Sequence, residues 1–119
     1  MTVDQLRRAC FSLVLFISLC IFLAPSSAVP TGPTGTDKMI HIASFVALSY
    51  TIVLAGVSRP RAIVVLLIYG AATEVTQTLL PVNRSGSAWD WLADAAGIAI
   101  GISLGLALRR PERWWALPR

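Results

Sequence analysis

Residues able to do chemistry fall in three short stretches, DKMIHIASF (37–45), EVTQ (74–77) and NRSGSAWDWLAD (83–94). Asp37 and His41 are four apart, Glu74 and Gln77 three apart, and Asp90 and Asp94 four apart. Each spacing puts its pair on one face of a helix. His41, Glu74 and Asp90 are the candidate catalytic groups. His41 and Glu74 could exchange protons with a substrate, with Asp37 or Asp90 orienting the imidazole and Ser44 or Ser87 supplying a hydroxyl. No serine sits in a GxSxG turn, so a nucleophile–histidine–acid triad is not expected. Lys38, Gln77, Arg84, Ser87 and Asp94 are the candidate ligand-binding residues. Among them Arg84 is best suited to an anion, because a guanidinium grips phosphate or carboxylate bidentately. His41, Glu74, Asp90 and Asp94 have metal-ligand chemistry, but one histidine with scattered carboxylates is a weak pattern. No metal and no cofactor is expected.

The rest of the chain explains what must position these groups. Of 119 residues, 55% are hydrophobic and 13% charged, and the mean hydropathy is +0.70. A soluble domain carries about 25% charged residues. Apolar residues come here in long blocks separated by short polar hinges, the pattern of a membrane protein. The expectation is an all-α single membrane domain over 1–119, with spans at about 9–24, 39–57, 62–80 and 91–108. Pro60 separates the second and third blocks, and Pro81 ends the third. Cys10 and Cys20 would lie about 15 Å apart along one helix, too far for a disulfide between them. The basic start, apolar run and Ser26-Ser27-Ala28 also fit a cleavable signal peptide, which would leave three spans.

Charge sets the expected direction. Arg7, Arg8, Arg59, Arg61, Arg109, Arg110, Arg113 and Arg119 fall on one side of a four-span chain, against Lys38 and Arg84 on the other. The positive-inside rule then makes both termini cytosolic. The cytosolic basic residues are split among separate hinges and predict lipid-headgroup attraction, with no nucleic-acid partner. Trp114 and Trp115 fit an interfacial anchor.

In this topology Asp37, Lys38, His41, Glu74, Gln77, Asp90 and Asp94 lie at the outer ends of three helices, which bring five polar side chains to one level, with Arg84 in the loop above. An unpaired carboxylate at the centre of a bilayer costs about 2.5 kcal/mol or more, so Glu74 should face the bundle and find a partner or a proton. The bland reading is a satisfied network that orients the helices. The functional reading is a binding or catalytic site near the aqueous face. Gly97, Gly101 and Gly105 form overlapping GxxxG spacings that permit close helix packing. Asn83-Arg84-Ser85 formally matches a glycosylation sequon.

These motifs resemble the VanZ-like family of small bacterial membrane proteins. The Asp-Lys-x-x-His-x-x-x-Phe opening reads here as DKMIHIASF, Asp37 to Phe45. Glu74, Gln77, Pro81, Arg84, Ser87, Asp90, Gly97 and Gly101 follow at matching spacing. Asp94 stands where the family usually has asparagine and adds a negative charge to the cluster. The resemblance covers 36–105 and implies a multi-span protein of the cell membrane, in a family associated in some cases with glycopeptide resistance.

The leading expectation is an envelope-associated protein that binds an anionic lipid headgroup or cell-wall precursor at its outer face. A membrane enzyme acting on a lipid-linked phosphoryl or acyl substrate is the alternative. A third is a structural subunit that stabilises a complex through a membrane-protein partner.

Overall fold

The computed structural model describes residues 1–28, 32–33, 35–80 and 86–108. Arg84, the sequon and the residues from Arg109 onward, Trp114 and Trp115 included, lie outside the described residues. The fold is all-α. Its long helices are α1 (Val3–Leu23), α2 (Thr36–Leu54), α3 (Arg59–Leu79) and α4 (Ala88–Ala107). With 21, 19, 21 and 20 residues, all four are long and apolar enough to cross a membrane. Each rises about 28–32 Å, the thickness of a hydrocarbon core. A 3-10 turn, Ser26–Ala28, follows α1.

Local chemistry sets the helix ends, and it moves them outward from the apolar blocks at the start of each helix. Thr2 caps α1 in a reciprocal capping box with Gln5, so that helix begins at Val3 and takes Arg7 and Arg8 into its second turn. α2 ends at Gly56, whose φ of 102° suits a residue without Cβ. Gly56 N–H donates to Val53 O and Val57 N–H to Ile52 O, the paired bonds of a Schellman stop. α3 starts with Pro60 in its first turn. Ser87 caps α4, its hydroxyl accepting from Asp90 N–H.

Packing follows one stripe per helix. α2 buries His41, Phe45, Leu48, Ser49 and Ile52, and α3 buries Ala62, Leu66, Gly70, Thr73, Glu74 and Gln77. α4 buries Asp90, Ala93, Asp94, Gly97, Ile98 and Gly101. The apolar core gathers Phe22, Phe45, Leu48, Ile52, Ala62, Leu66 and Ile98. Outward-facing Leu13, Phe16, Val64, Val65, Ile68, Leu92 and Ile100 are exposed, as residues facing hydrocarbon would be.

α2 and α4 form the most extensive pair. Their approach depends on two of the three spaced glycines. A Cβ on Gly97 would fall 2.6 Å from Ile42 O and 2.8 Å from Phe45 Cβ. One on Gly101 would collide with Ser49 and Val46 O. Gly105 differs: its nearest neighbour would be Tyr50 at 3.8 Å, an ordinary contact. The close helix contact therefore covers the first GxxxG spacing and opens before the second is complete.

Candidate functional site: a buried histidine–carboxylate cluster

His41 lies five residues into α2, Glu74 five residues before the end of α3, and Asp94 six residues into α4. At 1.5 Å per residue, all three sit about 8–9 Å inside the helix ends. The three helices thus carry them to one level, and their side chains meet. His41 Nδ1 is 2.7 Å from Asp94 Oδ1 and 3.6 Å from Glu74 Oε1. On the far side of the ring, His41 Nε2 is 3.8 Å from Asp37 Oδ2. His41, Glu74 and Asp94 are 1%, 8% and 0% exposed.

The expectation that Asp37 or Asp90 orients the imidazole is corrected here. Asp94 makes the hydrogen bond to His41, with Nδ1–H donating to the carboxylate. The reason is geometric: Gly97 and Gly101 let α4 close on α2 one turn below Asp94, and Gly70 leaves space on the α3 side. A Cβ on Gly70 would lie 2.9 Å from Asp94 Oδ2. Asp90 points instead to Lys38, whose Nζ is 3.5 Å from Asp90 Oδ1 with the lysine half-exposed.

Glu74 is held from the start of α4. Ser87 N–H donates to Glu74 Oε2 at 2.9 Å, satisfying one of the free amides at that helix end. The Ser87 hydroxyl is engaged as the cap, and among the described residues no serine hydroxyl bonds His41. Ser44 lines a cleft against α1 with Val14 and Ile17. Neither hydroxyl stands where a histidine-activated nucleophile would need to be.

Gln77 also has a definite partner. Its side-chain N–H donates to Phe22 O at 2.8 Å, and the residue is 1% exposed. That carbonyl belongs to the last turn of α1, where carbonyls take donors from outside the helix. Gln77 therefore ties α3 to α1.

Sequence reasoning did not single out Phe22, Ser18, Tyr69 or Trp91 for this region. Phe22 stacks on His41, ring centroids 4.8 Å apart, and on Phe45 at 5.8 Å. Ser18 Oγ and Tyr69 OH are hydrogen-bonded at 2.7 Å, and Trp91 Nε1–H donates to Leu67 O at 3.0 Å. Tyrosine and tryptophan inside an apolar block each need a polar partner when buried. That need was a readable signal, although it does not name the partner. Beside the cluster, a shallow groove of about 450 Å³ runs between α3 and α4. Ala71, Val75, Leu79 and Trp91 form its apolar wall, and Glu74 and Ser87 stand at its polar end.

The fold and site define a bundle of four membrane-span-length helices that encloses a histidine–carboxylate cluster near one end. No family model, curated protein or solved structure matches the chain.

Proposed function

We propose that this is a multi-pass protein of the cell membrane that binds the head of an anionic lipid or lipid-linked envelope precursor at the His41 end. That end faces outward on the charge rule, and the protein belongs with the VanZ-like proteins. The observation that carries the reading is the groove: an apolar wall leading to Glu74 and Ser87 suits an amphiphile, with a chain along Val75 and Leu79. The buried acids repel an anion, so the head is held at the rim. Lys38, half-exposed beside Asp90, and Arg84, which follows α3 in the sequence, are the positive charges proposed to meet it. A part in glycopeptide resistance would follow if the precursor is one that such antibiotics bind.

The test presents purified protein with a mixture of envelope lipids and lipid-linked precursors and analyses retained and converted species by mass. Selective retention of an anionic amphiphile is expected. It should fall about tenfold with Arg84→Ala, the loss of one charge-assisted contact, and fall in high salt. Ala71→Trp, which fills the groove from an exposed position, should also reduce it. Retention that ignores all three changes would remove the proposal.

A second reading, a membrane enzyme, is favoured by the 2.7 Å His41–Asp94 hydrogen bond, which fixes an imidazole as acid/base catalysts require. It predicts a converted species in the same assay. His41→Ala or Glu74→Gln would then reduce turnover more than retention, since proton transfer acts in the transition state. Retention without conversion favours the binding reading.

A further inference from the structure

Among the described residues, three buried side-chain atoms have no hydrogen-bond partner: His41 Nε2, Glu74 Oε1 and Asp94 Oδ2. All belong to one cluster, and each residue is more than nine-tenths buried. Buried polar atoms are costly when unsatisfied. Two carboxylates face a single imidazole, and the nearby lysine is spent on Asp90. Among the described residues the cluster is short of positive charge.

We propose that His41 Nδ1, Glu74 Oε1 and an oxygen of Asp94 bind a divalent transition-metal cation, with zinc the best match. One donor atom from each of the three residues already lies within 4.8 Å of the others. Ligands of a tetrahedral zinc, at bonds of about 2.0–2.1 Å, stand about 3.3 Å apart. The Nδ1–Oε1 separation is 3.6 Å and the Nδ1–Oδ1 separation 2.7 Å. One gap narrows and the other widens by well under 1 Å as the cation replaces the proton between His41 and Asp94. Two carboxylates cancel the cation's charge and a neutral imidazole completes the set, which removes the imbalance of a buried acidic cluster.

The surroundings fit the same ligation. Ser87 N–H holds Glu74 Oε2 and so leaves Oε1 as the donor. With the metal on Nδ1, the proton moves to Nε2, which faces Asp37 Oδ2 at 3.8 Å. A carboxylate behind a ligand histidine is the usual orienting partner. Gly70 leaves the space in which Asp94 Oδ2 turns. The groove that reaches Glu74 supplies a route from outside. Imidazole and carboxylates without thiolate suit zinc or manganese, and both cysteines are exposed on α1. The site requires no lipid ligand and is independent of the binding reading above.

The experiment uses the full chain in detergent, stripped with a chelator and titrated with Zn²⁺ alone, reading metal content and thermal unfolding. The expected result is one zinc per chain and a midpoint raised by zinc. Asp94→Asn and Glu74→Gln should each weaken zinc binding more than tenfold, and Asp37→Asn by about 10–100-fold. Asp90→Asn, whose carboxylate pairs with Lys38 and is not in the proposed set, should weaken it less than Asp94→Asn or Glu74→Gln does. Folded wild-type protein that takes up no zinc overturns the proposal. So does zinc binding that Asp94→Asn and Glu74→Gln leave unchanged. If those variants do not fold, the stoichiometry and midpoint shift of the wild type decide.

Discussion

Asp94 accepts a 2.7 Å hydrogen bond from His41 across the α2–α4 seam, with both side chains closed to solvent. Asp94→Asn keeps the shape and an acceptor oxygen, exchanging a charge-assisted bond for a neutral one at a cost of about 1 kcal/mol. Asp94→Ala leaves His41 Nδ1 unpartnered beside a void and should cost about 3 kcal/mol. Thermal or denaturant unfolding in detergent separates the two. Negligible loss in both would mean that the bond contributes nothing to the seam.

The glycine stripe makes a position-specific prediction. Gly97→Ala and Gly101→Ala place a methyl group against backbone or core atoms, and overpacking of that kind costs about 1–3 kcal/mol. Gly105→Ala meets only Tyr50 at contact distance and should stay within about 0.5 kcal/mol. Melting temperatures of the three variants check this. A Gly105 variant as damaged as the other two would place the helix contact lower than observed.

Phe22 is fully buried and stacks on His41 and Phe45. Phe22→Ala should destabilise the fold by less than the roughly 3–5 kcal/mol seen in water-soluble cores, because lipid competes for the exposed ring. It should also release the imidazole, broadening the His41 ring resonances in nuclear magnetic resonance spectra. Unchanged His41 signals would show that α1 does not hold the site.

Orientation is testable with single cysteines in a chain lacking Cys10 and Cys20. Gly35 and Gly86 make poor probe sites, since Gly35 has a φ of 95° and a Cβ on Gly86 would strike Glu74 O. Ser27 and Ser58 are exposed and make no side-chain cap bond, so both accept cysteine. Ser27→Cys should react with an impermeant thiol reagent in intact cells, and Ser58→Cys only after lysis. The reverse pattern would turn the His41 end to the cytosol.

Much of this architecture follows from local rules that a sequence states openly. Helix length is written in the apolar blocks, and the ends in Thr2, Gly56, Pro60 and Ser87. The i,i+3 and i,i+4 spacings of residues 37/41, 74/77 and 90/94 set which groups share a face. With short connections between α2, α3 and α4, those faces must meet at one end.

Only the tertiary structure decided which group each side chain meets. Four carboxylates stand within about one helical turn of His41, and the choice of Asp94 over Asp37 or Asp90 depends on how far α4 rotates and how closely it approaches α2. Gly70, Gly97 and Gly101 set that approach through the bulk they lack. From Ala9 to Leu23, α1 carries no polar side chains but Ser12 and Ser18, too few to mark Phe22 as the residue facing His41. Gln77 is polar on a face shared with Glu74, yet its donor is taken by the Phe22 carbonyl at the end of another helix. Spacing along a chain determines which residues can reach a common point; the distance and rotation between helices determine which of them do.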